Sequence, residues 1–140
     1  MDLKELECGV DPHRNWYYQS KLIPLIRFFE KAVENRTDKV DVIDFGAGNG
    51  FFSKELLKRF PERIETVRLV DIEYEKREVS ADGKIVKSKY VEENERPCVV
   101  ILMDVIENIE NDEAALHQIQ KVLKDQPPFF LTVPAFQSLW

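Results

Sequence analysis

The chain reads as an α/β protein built on a doubly wound, mostly parallel sheet with helices on both faces. Three observations predict this. Short apolar runs alternate with amphipathic stretches, the first apolar run feeds directly into a glycine-rich turn, and no repeat or low-complexity linker interrupts the alternation. With 140 residues, 44% of them hydrophobic, there is material for one domain with a real core. We therefore expect a single domain over residues 1–140, with an N-terminal helical segment over 1–36 and an α/β core over 40–140.

The elements follow in order. Leu22, Ile23, Leu25, Ile26, Phe28, Phe29, Ala32 and Val33 recur at helical spacing, with Ser20 placed as the N-cap and Pro24 near the first turn. Trp16, Tyr17 and Tyr18 precede this helix as an aromatic cluster, read as packing on the domain, with covering a ligand as the alternative. Val40 to Asp44 is a short apolar run ending in the glycine turn, as a buried parallel strand does. Phe51 to Phe60 predicts a helix with Phe52, Leu56, Leu57 and Phe60 on one side, stopped by Pro61. Val67 to Val70 is a second strand, ending at Asp71.

From Glu73 to Pro97 the chain is highly charged and offers few residues for burial. Asp82-Gly83 signals a turn, and Lys84 to Val91 predicts a third strand, placed at a sheet edge because charges interrupt it. Val99 to Met103 is a cleanly apolar fourth strand. Asn111, Asp112 and Glu113 open a helix whose Ala115, Leu116, Ile119, Val122 and Leu123 share a face, with Lys121 and Lys124 suited to its C-terminal dipole. Pro127 and Pro128 are read as its stop, and Phe129 to Val133 as the last strand.

Charge and composition narrow the function. Lys and Arg number 20 against 26 Asp and Glu, a net charge of −6, which argues against a nucleic-acid footprint and for a small-molecule partner. Cys8 and Cys98 are far apart and form no CxxC pair, so neither a zinc site nor a disulfide framework is suggested. No stretch approaches the roughly 20 apolar residues of a membrane span, and Met1 to Glu7 is charged, so a cytoplasmic setting is expected. His13 and His117 are read as surface residues, and no metal site is assigned.

The sharpest motif is Asp44-Phe45-Gly46-Ala47-Gly48-Asn49-Gly50, between a predicted strand and a predicted helix. Its glycines allow a tight turn and the approach of a ligand, and the helix start offers unpaired N–H groups and positive potential. Asp71 follows about 20 residues after the turn, where a carboxylate in a doubly wound fold accepts hydrogen bonds from ribose hydroxyls. A dinucleotide GxGxxG pattern starting at Gly46 would need a third glycine at position 51. That residue is Phe51, whose side chain crowds the helix–strand packing the glycine permits.

With these residues in place, the chain resembles the class I S-adenosylmethionine-dependent methyltransferases, in their small-molecule branch. Asp44 to Gly50 is similar to that family's first motif and Asp71 to its ribose-binding acid. Asp104-Val105-Ile106-Glu107-Asn108 resembles the segment after the fourth strand, and Leu131-Thr132-Val133-Pro134-Ala135-Phe136 the fifth strand and the turn beyond. The resemblance implies a Rossmann-like sheet in the order 3-2-1-4-5, S-adenosylmethionine as cofactor and a small-molecule acceptor. It also implies roles: the backbone of Gly46, Ala47 and Gly48 facing the methionine moiety, Asp44 orienting its amino group, Asp71 on the ribose, Ile72 beside the adenine and Asp104 next to the sulfonium. Asp82 is read as a turn residue rather than an adenine contact.

Three departures from that pattern stand out. Asn108 occupies the place of a histidine common in this branch, and an amide cannot abstract a proton near neutral pH, so no catalytic residue is assigned. The stretch from Asp71 to Val99 is short for two helices and a strand. The family continues through two further strands, so the resemblance implies that these C-terminal strands are missing. The fifth strand, with Phe129, Phe130, Phe136 and Trp140, is then expected to be exposed for self-association. Two other readings stay open: a non-catalytic S-adenosylmethionine-binding or regulatory module, and a nucleotide-linked oxidoreductase.

Overall fold

A computed structural model describes residues 11–123 and 126–134. The expectations placed on Cys8, Lys124, Ala135, Phe136 and Trp140 lie outside the described residues. Helix α1 (Trp16–Val33) leads to strand β1 (Val40–Phe45), helix α2 (Phe51–Arg59), strands β2 (Ile64–Val70), β3 (Glu78–Val79), β4 (Ile85–Ser88) and β5 (Cys98–Met103). A 3-10 turn (Ile106–Asn108), helix α3 (Asp112–Val122) and strand β6 (Phe129–Thr132) follow. The sheet runs β3-β4-β2-β1-β5-β6, parallel throughout except that β3 lies antiparallel to β4. Leaving β3 aside, this is the strand order 3-2-1-4-5 that the resemblance implies.

Alternation along the strands sorts the core into two layers. Val40 and Val42 of β1, Val67 and Leu69 of β2, and Val99 and Ile101 of β5 face α1 and α2. Ile43, Val70, Val100 and Leu102 face the other way, against Ile119 and Leu123 at the end of α3. Helices therefore cover both faces, as a parallel sheet without solvated faces requires. Helix α1 joins the first layer through Tyr18, Leu22, Leu25, Phe29 and Val33, a stripe at steps of three and four residues.

Several boundaries differ from the sequence expectation. Helix α1 begins at Trp16, not after Ser20: the Asn15 side chain accepts from Tyr17 N at 2.9 Å, and the cap forms there. Ser20 lies inside the helix with its hydroxyl donating to Tyr17 O, and Pro24 sits mid-helix. Lys84 to Val91 is not the sheet edge. Only Ile85–Ser88 is strand, and the edge is β3, folded back on it through a turn at Asp82-Gly83. The passage from β2 to β4 thus uses an antiparallel strand where a βαβ unit uses a helix. Helix α3 stops at Val122, well before Pro127: Leu123 turns extended and bridges to Asn94.

The charges of the 73–97 stretch find their use beside β2. Glu92 receives Arg77 Nε at 2.7 Å and Arg68 Nη1 at 3.3 Å. Buried Asp41 accepts from the amide and hydroxyl of Thr66 and lies 3.8 Å from Arg68 Nε and 3.6 Å from Arg96 Nε. A carboxylate withdrawn from water at the centre of the sheet needs such partners. No helix among the described residues is long and apolar enough to cross a membrane.

Candidate functional site

Successive connections leave β1 in opposite directions, to β2 on one side and to β5 on the other. In an open parallel sheet this opens a crevice at the carboxyl ends of the strands. The glycine turn, Asp71 and Asp104 all lie at that end.

The turn is built by steric necessity. Gly46 has φ +72°, and a Cβ placed on it would lie 2.4 Å from Val105 Cγ2. Gly50 caps α2 at φ +74°, and a Cβ there would meet Leu69 Cδ1 of β2 at 2.7 Å. Close helix–strand approach is therefore supplied by Gly50, one residue earlier than in a dinucleotide fingerprint. Phe51 is left free to pack edge-on with His13, Tyr18 and Phe52. Gly46 N and Ala47 N both donate to Val70 O, at 2.8 and 3.1 Å, which anchors the turn on the end of β2.

Asp71 is fastened to the same turn. Its Oδ2 accepts from Gly48 N at 2.8 Å and its Oδ1 from Glu73 N at 3.0 Å. A carboxylate has about four acceptor positions, so two remain for a ligand. The next residue, Ile72, is 71% exposed and so takes no part in the core. Tyr74 donates to Gly48 O at 2.5 Å, so the Gly48 peptide is gripped at both its N–H and its C=O. Burial, then the neighbouring charges of Asp44 and Asp71, push the Tyr74 phenol above its ordinary range.

Asp44 is only 3% exposed and accepts from Ser53 Oγ of α2 at 2.7 Å. Burial pushes its carboxyl up to about 6, against the Ser53 hydrogen bond, which pulls it down. Burial makes the ionised form of this acid costly, and an approaching cation would offset that cost.

Asp104 directly follows β5 with φ +54°, a left-handed conformation that aspartate tolerates better than most residues. Its carboxylate is held from two elements. Tyr17 Oη of α1 donates to Oδ2 at 2.5 Å, Lys21 Nζ pairs with the same oxygen, and Thr132 Oγ1 of β6 donates to Oδ1 at 2.9 Å. Lys21 also donates to Tyr17 Oη at 2.8 Å. The aromatic cluster thus divides its duties: Tyr18 is buried against Phe51 and Phe52, Tyr17 binds Asp104, and Trp16 is 76% exposed.

Of the positions singled out in the sequence, the structure gathers Asp44, Gly46, Ala47, Gly48, Asp71, Ile72 and Asp104 at one end of the sheet. Asp82 stays apart, accepting from Ser80 Oγ and Lys84 N within its own turn. His13 lies 3.7 Å from Glu55 Oε1, and His117 is exposed on α3. Asn108 is exposed in the 3-10 turn. A cleft bordered by Asn49, Phe51, Lys54, Leu57 and Ile85 runs along α2, and neither Asp71 nor Asp104 lines it. Sequence reasoning missed Lys21, Ser53, Tyr74 and Thr132, and had Tyr17 only as one of an aromatic cluster, without its bond to Asp104. The available signal was faint: Tyr17 and Lys21 stand four apart on one helix face, and nothing local points to a partner 83 residues away.

In comparison with known proteins, the family model of a methyltransferase domain matches residues 15–139. No curated protein matches the chain.

Proposed function

The chain belongs to the methyltransferase-domain family, of the class I S-adenosylmethionine-dependent kind, and from that premise we propose that it moves a methyl group from S-adenosylmethionine, held at the glycine turn, to a small acceptor. One observation carries the placement: Asp71 is hydrogen-bonded to the amide of Gly48 while keeping acceptor positions open beside exposed Ile72. An adenosine has this chemistry in this order, hydroxyls for the carboxylate and a flat apolar base for the isoleucine.

The donor set fits the rest of the molecule. The peptides of Gly46, Ala47 and Gly48 face the methionine part, and buried Asp44 receives its ammonium group, which draws the carboxyl toward its ionised form. Asp104 stands at the sulfonium end. When bound, S-adenosylmethionine supplies a methyl carbon already activated by a positively charged sulfur. The chain's work is then to fix the donor and align the acceptor in line with it, and no catalytic dyad is needed for that. The small acceptor, a cytoplasmic setting, and pairing of the β6 edge, where Leu131 is 42% exposed, with a second copy belong to the same proposal.

A second reading, a binding module without turnover, is favoured by Asn108, which offers no base where this branch has a histidine. Thermal shift with S-adenosylhomocysteine, S-adenosylmethionine and NAD tests the site: the first two raise the melting temperature and NAD does not. A shift with NAD alone sinks the proposal. Transfer of a labelled methyl group to a panel of small hydroxyl, thiol and amine acceptors separates the enzyme from the module.

A further inference from the structure

The two acids at the mouth of the site are held in different ways. Asp71 spends its carboxylate on two neutral backbone N–H groups, whereas Asp104 carries a cation of its own, Lys21. The Lys21 and Asp104 side chains are 19% and 15% exposed, so the pair is largely out of water and weakly screened. The pair also adjoins the turn, because Val105, directly after Asp104, fills the space a side chain on Gly46 would need.

We infer that Lys21 sets the charge felt at the methyl-donor sulfur: by cancelling Asp104, it keeps the site from holding the cationic donor much more tightly than the neutral product. The inference rests on the reading of the turn as an S-adenosylmethionine site. In the transfer, the acceptor's lone pair forms the new bond to the methyl carbon, the S–CH3 bond breaks, and its electron pair goes to sulfur. Positive charge therefore leaves the sulfur on the way to the transition state. An uncompensated carboxylate beside it stabilises the starting complex more than the transition state and slows the step. Lys21 removes that bias while leaving Asp104 in place to dock α1 through Tyr17 and β6 through Thr132. One helix face delivers both Tyr17 and Lys21, so the compensation comes with the docking.

Binding alone tests this, without an acceptor. S-adenosylmethionine and S-adenosylhomocysteine differ by one methyl group and one positive charge, so the ratio of their affinities isolates the charge at sulfur. Titration calorimetry is performed on the wild-type chain, Lys21→Met, Lys21→Arg and Asp104→Asn, each checked for fold by circular dichroism. Lys21→Met is expected to shift the ratio toward S-adenosylmethionine on the order of tenfold, the size a partly screened charge pair retains. Lys21→Arg keeps the charge and the wild-type ratio. Asp104→Asn leaves the lysine uncompensated and shifts the ratio toward S-adenosylhomocysteine. An unchanged ratio in folded Lys21→Met overturns the inference alone, and if that variant does not fold, an unchanged ratio in Asp104→Asn does so. Binding of neither ligand by the wild-type chain overturns the functional reading and the inference with it.

Discussion

Replacing Gly46 with alanine puts two costs on one atom, and a second substitution separates them. The first cost is conformational: φ +72° disfavours any side chain, by about 1–2 kcal/mol. The second is steric: the new Cβ would lie 2.4 and 2.8 Å from the two γ-methyls of Val105, where ordinary contact begins near 3.4 Å. Forcing a methyl into such a space costs about 1–3 kcal/mol, so Gly46→Ala alone should destabilise the chain by about 2–5 kcal/mol. Val105→Ala removes both offending methyls and, at a half-buried position, costs about 1 kcal/mol by itself. In the double variant the nearest remaining atom is the residue-105 Cβ at 3.2 Å, a contact relieved by a shift of a few tenths of an ångström, so most of the steric cost is gone and the conformational cost persists. The pair should therefore be less destabilised than the sum of the single variants by about 1–3 kcal/mol. Urea unfolding of the four proteins, followed by circular dichroism, measures it. Additivity to within about 0.5 kcal/mol would refute the claim that Val105 and Gly46 are in steric register, and with it the link between Asp104 and the turn.

Asp44→Asn tests the buried acid. The folded carboxyl sits near 6 against 3.8 ordinarily, so its protonation favours the folded state, and that stability is full below about 3.8 and lost as pH rises through 6. The asparagine variant should thus be more stable than wild type at pH 8, by up to about 3 kcal/mol, with the gain vanishing by pH 4. A pH-independent difference in melting temperature would count against it. Asp71→Ala should weaken S-adenosylhomocysteine binding by about 1–3 kcal/mol as the charge-assisted bonds to ribose are lost, and unchanged affinity in calorimetry would remove Asp71 from the ribose. Ile72→Ser, at an exposed position, should leave stability within about 0.5 kcal/mol of wild type. Its affinity for the same ligand should nevertheless fall by about 1 kcal/mol, and equal affinity would detach Ile72 from the adenine.

Much of the fold was legible because its signals are local. The run Val40 to Asp44, the glycines after it and the apolar face of α2 announce a strand, a turn and a helix within twenty residues. Asn111, Asp112 and Glu113 open α3 as expected, and the Asn111 side chain accepts from the amide three residues on as its cap. The start of α1 was misplaced because Ser20 and Asn15 are both good caps. Burial of Tyr18 against α2, not capping preference, decides between them. The two-residue strand β3 gave no periodicity to detect. Its existence depends on β4 already being in the sheet to receive it.

The sequence by itself determined the order of the elements other than β3, the glycine turn and the acid at the end of β2. Each rests on backbone sterics and side-chain periodicity over a few neighbouring residues. Only the tertiary structure decided what those residues touch: Asp71 on the Gly48 amide, Tyr74 on its carbonyl, and Asp104 shared by Tyr17, Lys21 and Thr132. Those contacts join segments from 23 to 87 residues apart. A hydrogen bond acts over about 3 Å whatever the separation along the chain, so no local pattern of residue types can announce it.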